Sequence, residues 1–265
     1  MRWEVALALT TATFVLYLSS MGAGVWFLLT PKAHESRWPQ FLMTIGVCAQ
    51  VLLWCALFGA RGGHGLASAS GGLLAISPLL VLIYLILSRR YARMQVIGLI
   101  VAAAMAAIVG FAGWGSGGHT EASGSRLHML HAVVAMLAST SLTMAGALAV
   151  CLVAVDHQLK HKRLWSFFRR MPSLDVLEKL HFRSIMVGFV FLTVSWVLGA
   201  AWWHGDRLHF SWRYMSSAMA WLLYAGLLQA HWTTGFRGGR AAVVGLIAYL
   251  GVVLTVADYL IRGKA

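Results

Sequence analysis

The fold of this chain is decided by residues 173–240, SLDVLEKLHFRSIMVGFVFLTVSWVLGAAWWHGDRLHFSWRYMSSAMAWLLYAGLLQAHWTTGFRGGR. Two long apolar runs in this stretch are joined by a short loop that is dense in Trp and His. A single histidine, His231, then precedes a turn of glycine and arginine. An apolar hairpin with such a tip favours the binding of something flat and aromatic at a membrane surface.

The composition of the whole chain is that of a membrane protein. Its 265 residues are 60% hydrophobic and 11% charged, whereas soluble domains are about half apolar and about a quarter charged. The formal net charge of +13 would suggest a nucleic-acid partner in a soluble protein. In a bilayer the same excess of Lys and Arg orients the spans against anionic lipid. We therefore expect the lipid bilayer, and no nucleic acid, as a partner.

Eight apolar segments are long enough to cross a bilayer, which takes roughly 20 residues. Backbone polar groups cannot face lipid unsatisfied, so each segment is predicted to be helical. Pro78 lies inside the third segment and predicts a kink there, because proline removes a helical hydrogen bond. The sequence thus predicts an all-α, polytopic membrane protein with about eight transmembrane helices. The predicted segments are 4–29, 41–60, 71–88, 94–112, 127–155, 184–203, 213–231 and 240–261.

These spans are expected to form two regions, with spans one to four in residues 1–126 and spans five to eight in residues 127–265. Their orientation follows from the charged loops. The loops after the odd-numbered spans hold 14 of the 21 Lys and Arg residues, and such residues accumulate on the cytoplasmic side. We therefore predict that both termini lie outside, in the periplasm if this is a bacterial inner membrane.

The positions of the acidic residues disfavour several function classes. All eight Asp and Glu residues fall in loops or near span ends, whereas coupled carriers usually need a carboxylate within the membrane. Paired carboxylates for acid–base catalysis and a GxSxG nucleophile motif are also missing from the sequence. We therefore do not expect the chain to be an enzyme by itself.

Histidine is abundant instead, and three positions are candidates for binding. His131 precedes the apolar run AVVAML and is predicted to lie inside the outer end of span five, where a polar ring needs a partner. His128 lies three residues earlier on the same helix face, and His231 has a similar position at the inner end of span seven. Zinc would need further ligands at close spacing, such as HExxH, which the sequence lacks. Haem needs only one or two imidazoles and an apolar, aromatic slot.

The tryptophans of the hairpin tip leave two interpretations open. Trp202, Trp203 and Trp212 cluster in this loop. Tryptophan gathers at membrane interfaces in any protein, and on composition alone this belt is the simpler explanation. Alternatively, the rings form a shelf on which the edge of a haem rests.

Three stretches occur in a characteristic order: LHMLHAVVAML at 127–137, LDVLEKLHFRSIMVGFVFLTVSWVLGAAW at 174–202, and WLLYAGLLQAHWTTGFRGGRAA at 221–242. This order resembles the cytochrome c assembly family of integral membrane proteins, the CcsA/CcmC/HemX group. The resemblance covers residues 127 to about 250 by these motifs. It is closest to the short HemX- and YpjD-like inner-membrane members.

The resemblance implies functional residues. The outer histidine of this span ligates haem in the family, and His131 matches it. A second family histidine lies within the membrane before a Gly-Trp-Arg-Gly turn, and His231 matches it, with FRGG in place of the turn. The family's tryptophan-rich outer loop presents haem for attachment to apocytochrome c, and Trp202 and Trp212 match its edges.

The sequence also departs from the family pattern. Arg213 stands where the tryptophan-rich signature has an acidic residue, and residues 260–265 contain no counterpart of the outer histidine that follows the last span. An outer haem would then lack its usual second ligand unless another outer histidine substitutes, and the candidates are His64, His119, His128, His204 and His209. These departures leave the haem-attachment activity open.

The expected function is therefore the binding or handling of haem b in cytochrome c biogenesis or a related haem delivery. The expected partners are apocytochrome c or another maturation membrane protein, with the chain as a component of a cytochrome c haem lyase system. The site is predicted to be non-covalent, with basic groups for the haem propionates. Its residues would be His131 and His231 as iron ligands, His128, Trp202, Trp203 and Trp212 around the haem, and Arg126, Arg207 and Arg213 at the propionates.

Two other classes stay open. A non-haem accessory protein that keeps the fold and modulates another membrane complex would explain the departures, since folds are often reused. A carrier of small molecules or metal ions would rest only on the His-rich faces of the chain.

Overall fold

The computed structural model describes residues 2–30, 37–61, 69–91, 93–114, 126–161, 171–202 and 212–262. Within these ranges the chain forms nine α-helices and no strand, which confirms the all-α prediction. The helices are α1 (Arg2–Leu29), α2 (Trp38–Arg61), α3 (Ala69–Ile76), α4 (Pro78–Arg90), α5 (Gln95–Trp114), α6 (Arg126–His161), α7 (Leu174–Trp202), α8 (Trp212–Thr234) and α9 (Gly238–Arg262).

Seven stretches of the described residues are long and apolar enough to cross a membrane. They match seven of the eight predicted segments, and the protein is a multi-pass membrane protein. The remaining segment forms α8, which has 23 residues but is less apolar. The seven stretches are Leu7–Leu29, Trp38–Ala56, Gly72–Arg90, Gln95–Ala112, Met129–Lys160, Leu174–Ala201 and Gly238–Asp258.

The predicted kink at Pro78 is confirmed as a helix break. Helix α3 ends at Ile76 and α4 begins at Pro78. Proline has no N–H to donate to the carbonyl of Leu74, four residues earlier. The Nε2 of Gln50 on α2 donates to that carbonyl instead, at 3.3 Å. A side chain from another helix therefore satisfies the acceptor that the break leaves open.

The chain divides into two compact units. The first consists of Met1–Gly117 and Gln158–Ser173. In this unit α1 packs against α2 and α5. The buried Tyr17 hydroxyl on α1 donates to Oε1 of Gln50 at 2.8 Å, and Gln50 also bonds the hydroxyl of Ser77. This buried network joins α1 and α2 to the α3–α4 break.

The second unit consists of Gly118–His157 and Leu174–Ala265. Its core is formed by apolar side chains of α6, α7, α8 and α9, including Leu142, Ile185, Tyr224 and Ala248. Glycine permits a close approach of two helices here, since a Cβ on Gly188 would lie 2.6 Å from Cδ2 of Leu142. The predicted boundary between residues 126 and 127 stays a prediction.

Helix α7 begins ten residues before the predicted sixth span, at Leu174 rather than at residue 184. The segment LDVLEKLHFR is too polar to count as part of an apolar span, although Pro172, Ser173 and Asp175 predict that a helix starts there, and α7 confirms this start. Its apolar residues nevertheless recur at helical spacing, and Leu177, Leu180 and Phe182 are buried in the structure. Because α7 begins this early, Glu178, His181 and Phe182 belong to the second unit, together with the helices α6, α8 and α9.

Candidate functional site

His131 lies near the start of α6, where it is half-buried against α7. Its Nδ1 is 2.8 Å from the backbone oxygen of Ser195 and 3.2 Å from the Oγ of the same residue. A carbonyl oxygen only accepts hydrogen bonds, so Nδ1 must carry the proton of the neutral imidazole. The lone pair is then on Nε2. This tautomer is the one in which a histidine presents Nε2 to a metal while Nδ1–H is fixed by a backbone carbonyl.

Gly199 gives the His131 ring its room. A Cβ at this position of α7 would lie 3.2 Å from Cε1 and 3.4 Å from Nδ1 of His131. These distances are tighter than an ordinary van der Waals contact, so a larger residue would displace the ring. Gly199 is one helical turn before Trp202, the last residue of α7. The backbone therefore places His131 near the end of α7 that leads into the tryptophan loop.

His231 lies in the last turn of α8 and has the same kind of hydrogen bond. Its Nδ1 is 3.1 Å from the oxygen of Phe236, in the turn between α8 and α9. The ring stacks on Phe182 of α7, with centroids 3.6 Å apart and planes 18° apart. The Phe236 carbonyl selects the Nδ1–H tautomer for the neutral ring. Among the described residues nothing bonds to its Nε2.

The two candidate iron ligands belong to two separate places in the unit. His231 contacts α7 at Phe182, and His131 contacts it at Ser195. These contact points are 13 residues apart, which is about 20 Å along a helix that rises about 1.5 Å per residue. One haem iron cannot take both imidazoles at this separation, since Fe–N bonds are about 2 Å. The assignment of His131 to the outer side and His231 to the inner side stays a prediction.

The other predicted site residues are less fully described. Trp212 is the first residue of α8, and its side chain is 58% exposed. Trp202 ends α7 and His128 lies on α6, but their side chains are outside the described part of the structure, as is that of Arg213 on α8. Trp203 and Arg207 lie outside the described residues altogether. The tryptophan shelf and its arginines stay a prediction.

His181 is a histidine that the sequence did not single out. It is 1% exposed, and its Nδ1 is 3.0 Å from the oxygen of Ala145 on α6. Its Nε2 is buried without a hydrogen-bond partner among the described residues. A Cβ on Gly245 of α9 would lie 3.0 Å from this nitrogen. Helix α9 thus closes over Nε2 and leaves no room for a ligand, so His181 is a packing residue in this structure.

The donor set fits haem rather than a bare metal ion. Within the described ranges no three His, Cys, Asp or Glu side chains are close enough to hold a metal ion. Porphyrin supplies four nitrogens itself and needs only axial imidazole from the protein. His131 and His231 each offer one Nε2 with the ring fixed by a carbonyl, which meets that requirement.

Comparison with known proteins identifies the family of the chain. The model of the family described as "Cytochrome C assembly protein" matches residues 66–261, well over half of the chain. The chain belongs to this family. The match begins a few residues before the third span, so it extends further toward the N-terminus than the motifs from residue 127 onward indicated.

Curated relatives match parts of this family member. Inner membrane protein YpjD of Escherichia coli (strain K12) is 30% identical over 144 residues, covering 50% of this chain and 52% of its own length. A cytochrome c biogenesis protein CcsA of Prochlorococcus marinus (strain MIT 9515) is 37% identical over 93 residues, covering 29% and 28%. That of Synechococcus sp. (strain CC9902) is 29% identical over 160 residues, covering 48% and 52%.

The chain spans about half of the length of these relatives, or less. No solved structure matches the chain.

Proposed function

We propose that this family member handles haem during cytochrome c maturation in the inner membrane of a bacterium, and that it holds haem b non-covalently through His131. The observation that carries the proposal is the bond from Nδ1–H of His131 to the Ser195 carbonyl, 2.8 Å long. This bond fixes the ring and leaves the Nε2 lone pair for iron. Haem would supply an iron that takes axial imidazole nitrogens.

The surroundings of His131 suit an axial ligand. A histidine that ligates a metal usually donates its other N–H to a carbonyl or carboxylate, which raises the basicity of the ligating nitrogen. Loss of such a partner typically lowers metal affinity by about 10- to 100-fold. Gly199 removes the side chain that would otherwise displace the ring. Trp202, Trp203 and Trp212 then complete the proposed outer site, with Arg126, Arg207 and Arg213 for the propionates.

His231 is the proposed ligand of a separate inner site. Because it lies about 20 Å along α7 from the Ser195 contact, it would hold haem on the cytoplasmic side of a route to the periplasm. Apocytochrome c or another maturation protein would receive the haem. The proposal is supported by family membership, by the role of the CcsA relatives in cytochrome c biogenesis and by the inner-membrane location of YpjD.

The test is an absorption spectrum, with pyridine haemochrome, of protein purified gently from cells grown with ample haem. We expect a stoichiometric b-type signal that His131→Ala abolishes or shifts. His181→Met is the matched control, because it also removes an imidazole from the unit but none from the proposed site. A Soret band that is identical in wild type and His131→Ala would remove His131 from the site.

The second candidate function is that of a non-haem accessory protein. It is favoured by Arg213, which stands in the place of the family's acidic residue. In this case the haem-replete protein would be folded and helical, with no chromophore, and would co-purify with another membrane protein. The spectrum thus separates the two functions.

A further inference from the structure

The turn between α8 and α9 is held by a carboxylate from α7. Oε1 of Glu178 accepts a hydrogen bond from the backbone N–H of Gly238, at 3.1 Å. Gly238 opens α9 with a φ of +76°, and Gly235, the residue after the end of α8, has a φ of +67°. The first N–H groups of a helix have no partner within it and carry a partial positive charge, so a carboxylate is well placed there. Glu178 therefore holds the first N–H of α9, next to the Asp156 carboxylate of α6, which lies against Gly239.

The same face of α7 contacts His231 itself. Phe182 is four residues after Glu178, one helical turn further, so the two side chains lie on one face. Phe182 is 7% exposed and stacks on the imidazole at 3.6 Å. Helix α7 therefore contacts this region at two points. Glu178 bonds the N–H of Gly238, and Phe182 stacks on the ring of His231.

These two contacts influence which ring nitrogen of His231 carries the proton. The Nδ1 of His231 is 3.1 Å from the oxygen of Phe236, which lies two residues before Gly238. The N–H of Phe236 donates to the Ala230 carbonyl of α8 at 3.3 Å, and Glu178 accepts from the N–H two residues later, so the Phe236 carbonyl lies between two fixed points of the turn. The ring of His231 stacks on Phe182, which sets its plane. A free imidazole in water favours the opposite tautomer, with the proton on Nε2, and that form cannot bind a metal through Nε2.

We propose that Glu178 and Phe182 are positioning residues, which keep His231 as the Nδ1–H tautomer with its Nε2 lone pair directed for coordination. This proposal rests on the proposed function for its purpose, but the tautomer itself is a property of the haem-free protein. A role of Glu178 in helix capping alone would affect the stability of the protein. It would leave the proton of the neutral His231 ring on Nδ1.

The experiment is nitrogen NMR of the haem-free protein labelled with ¹⁵N-histidine, in which the ring-nitrogen shifts report the tautomer of each neutral imidazole. The His231 signals are assigned by their loss in His231→Gln. We expect the Nδ1–H form in wild type. Glu178→Met keeps the length of the side chain and removes the acceptor, so the Nε2–H form should become the major one.

Two variants test the cause. Glu178→Gln retains an oxygen that accepts from Gly238, and we expect it to keep the wild-type tautomer. Asp175→Ala is the matched control, since it removes a carboxylate of the same helix that is 70% exposed and pairs with Lys179 instead. It too should keep the Nδ1–H form. A dominant Nδ1–H form in Glu178→Met would overturn the role of Glu178.

Phe182→Leu provides a second measurement that does not depend on the folding of Glu178→Met. Leucine fills apolar space but cannot hold the ring plane by stacking, so we expect a mixture of the two tautomers. Wild-type signals in this variant would overturn the role of Phe182. A haem-replete protein with no chromophore would refute the proposed function while leaving the tautomer result intact, so the two failures are distinguishable.

Discussion

His181, His131 and His231 all direct Nδ1 at a backbone carbonyl, and they differ in what their Nε2 meets. At His181 that nitrogen is buried against Gly245 with no partner in the described residues. An unsatisfied buried polar group costs about 1–3 kcal/mol, whereas a neutral hydrogen bond contributes about 1 kcal/mol. The histidine in the core is therefore the least favourable of the three for stability.

We expect His181→Met to leave the thermal unfolding midpoint unchanged or to raise it. Methionine is unbranched and fills irregular space, so the variant loses the bond to Ala145 and also removes the unsatisfied nitrogen. The net change in the free energy of unfolding should lie between zero and about 2 kcal/mol of stabilisation. The measurement is the loss of helical circular dichroism on heating in detergent. A clear drop in the midpoint would mean that Nε2 is bonded in the folded protein, for example by an internal water.

At the scale of elements, the α3–α4 break depends on one side chain of another helix. Gln50 is 0% exposed, and it hydrogen-bonds the Tyr17 hydroxyl, the Leu74 carbonyl and the Ser77 hydroxyl. We expect Gln50→Leu to lower the free energy of unfolding by about 2–5 kcal/mol, because several buried polar groups lose their partner. Chemical or thermal unfolding of the purified protein measures this change.

Combining Gln50→Leu with Pro78→Ala tests whether the Gln50 bond to Leu74 compensates for the proline. Alanine restores an N–H that can bond the Leu74 carbonyl within one continuous helix. Gln50→Leu should then cost about 1 kcal/mol less than it does beside proline. Strictly additive effects of the two substitutions would show that the Gln50 bond to Leu74 does not compensate for the proline.

The sequence allowed the break to be predicted, but not the residue that stabilises it. Proline alone defines where a helical hydrogen bond is missing. Which side chain replaces that bond depends on the packing of α2 against the break, and residues 50 and 74 are far apart in the chain. Hydropathy also treats Gln50 only as a polar residue within an apolar run.

At the candidate site, too, residues in local motifs could be predicted and their contact partners could not. His131 and His231 were predicted, because their motifs are local in the sequence. Their partners Ser195, Phe236 and Phe182 come from other helices or from the turn and were not predicted. Glu178 and His181 were not chosen as site residues because they lie before the predicted apolar span, which begins at residue 184. The helix start at Pro172 and Ser173 was predicted, but the burial of the polar segment after it was not.

At the scale of the whole molecule, the number of crossings depends on α8. This helix is 23 residues long, about 34 Å at about 1.5 Å per residue, which is enough for a hydrocarbon core of about 30 Å. Its low hydropathy comes partly from polar side chains that neighbouring helices satisfy. These pairs are Ser216 with Thr255, Ser217 with Trp196, Trp221 with Thr193 and Tyr224 with the Gly245 carbonyl.

Because those groups are bonded to α7 and α9, both of which are apolar enough to cross, we predict that α8 crosses as well. Eight crossings place both termini on one side, and seven would place them on opposite sides. A non-crossing α8 would also put Arg237 and Arg240 on the outer side, against the tendency of Arg to remain in the cytoplasm.

Reporter fusions show whether the number of crossings is even or odd. Alkaline phosphatase is active only in the periplasm, and green fluorescent protein fluoresces when it folds in the cytoplasm. We expect the phosphatase to be active after Ala265 and inactive within residues 162–170, with the opposite pattern of fluorescence. A fusion within residues 203–211 is the control, because this loop is predicted to be periplasmic whether or not α8 crosses. A fluorescent fusion after Ala265 beside a phosphatase-active fusion in that loop would mean that α8 does not span the bilayer, and His231 would then lie on the same side as His131.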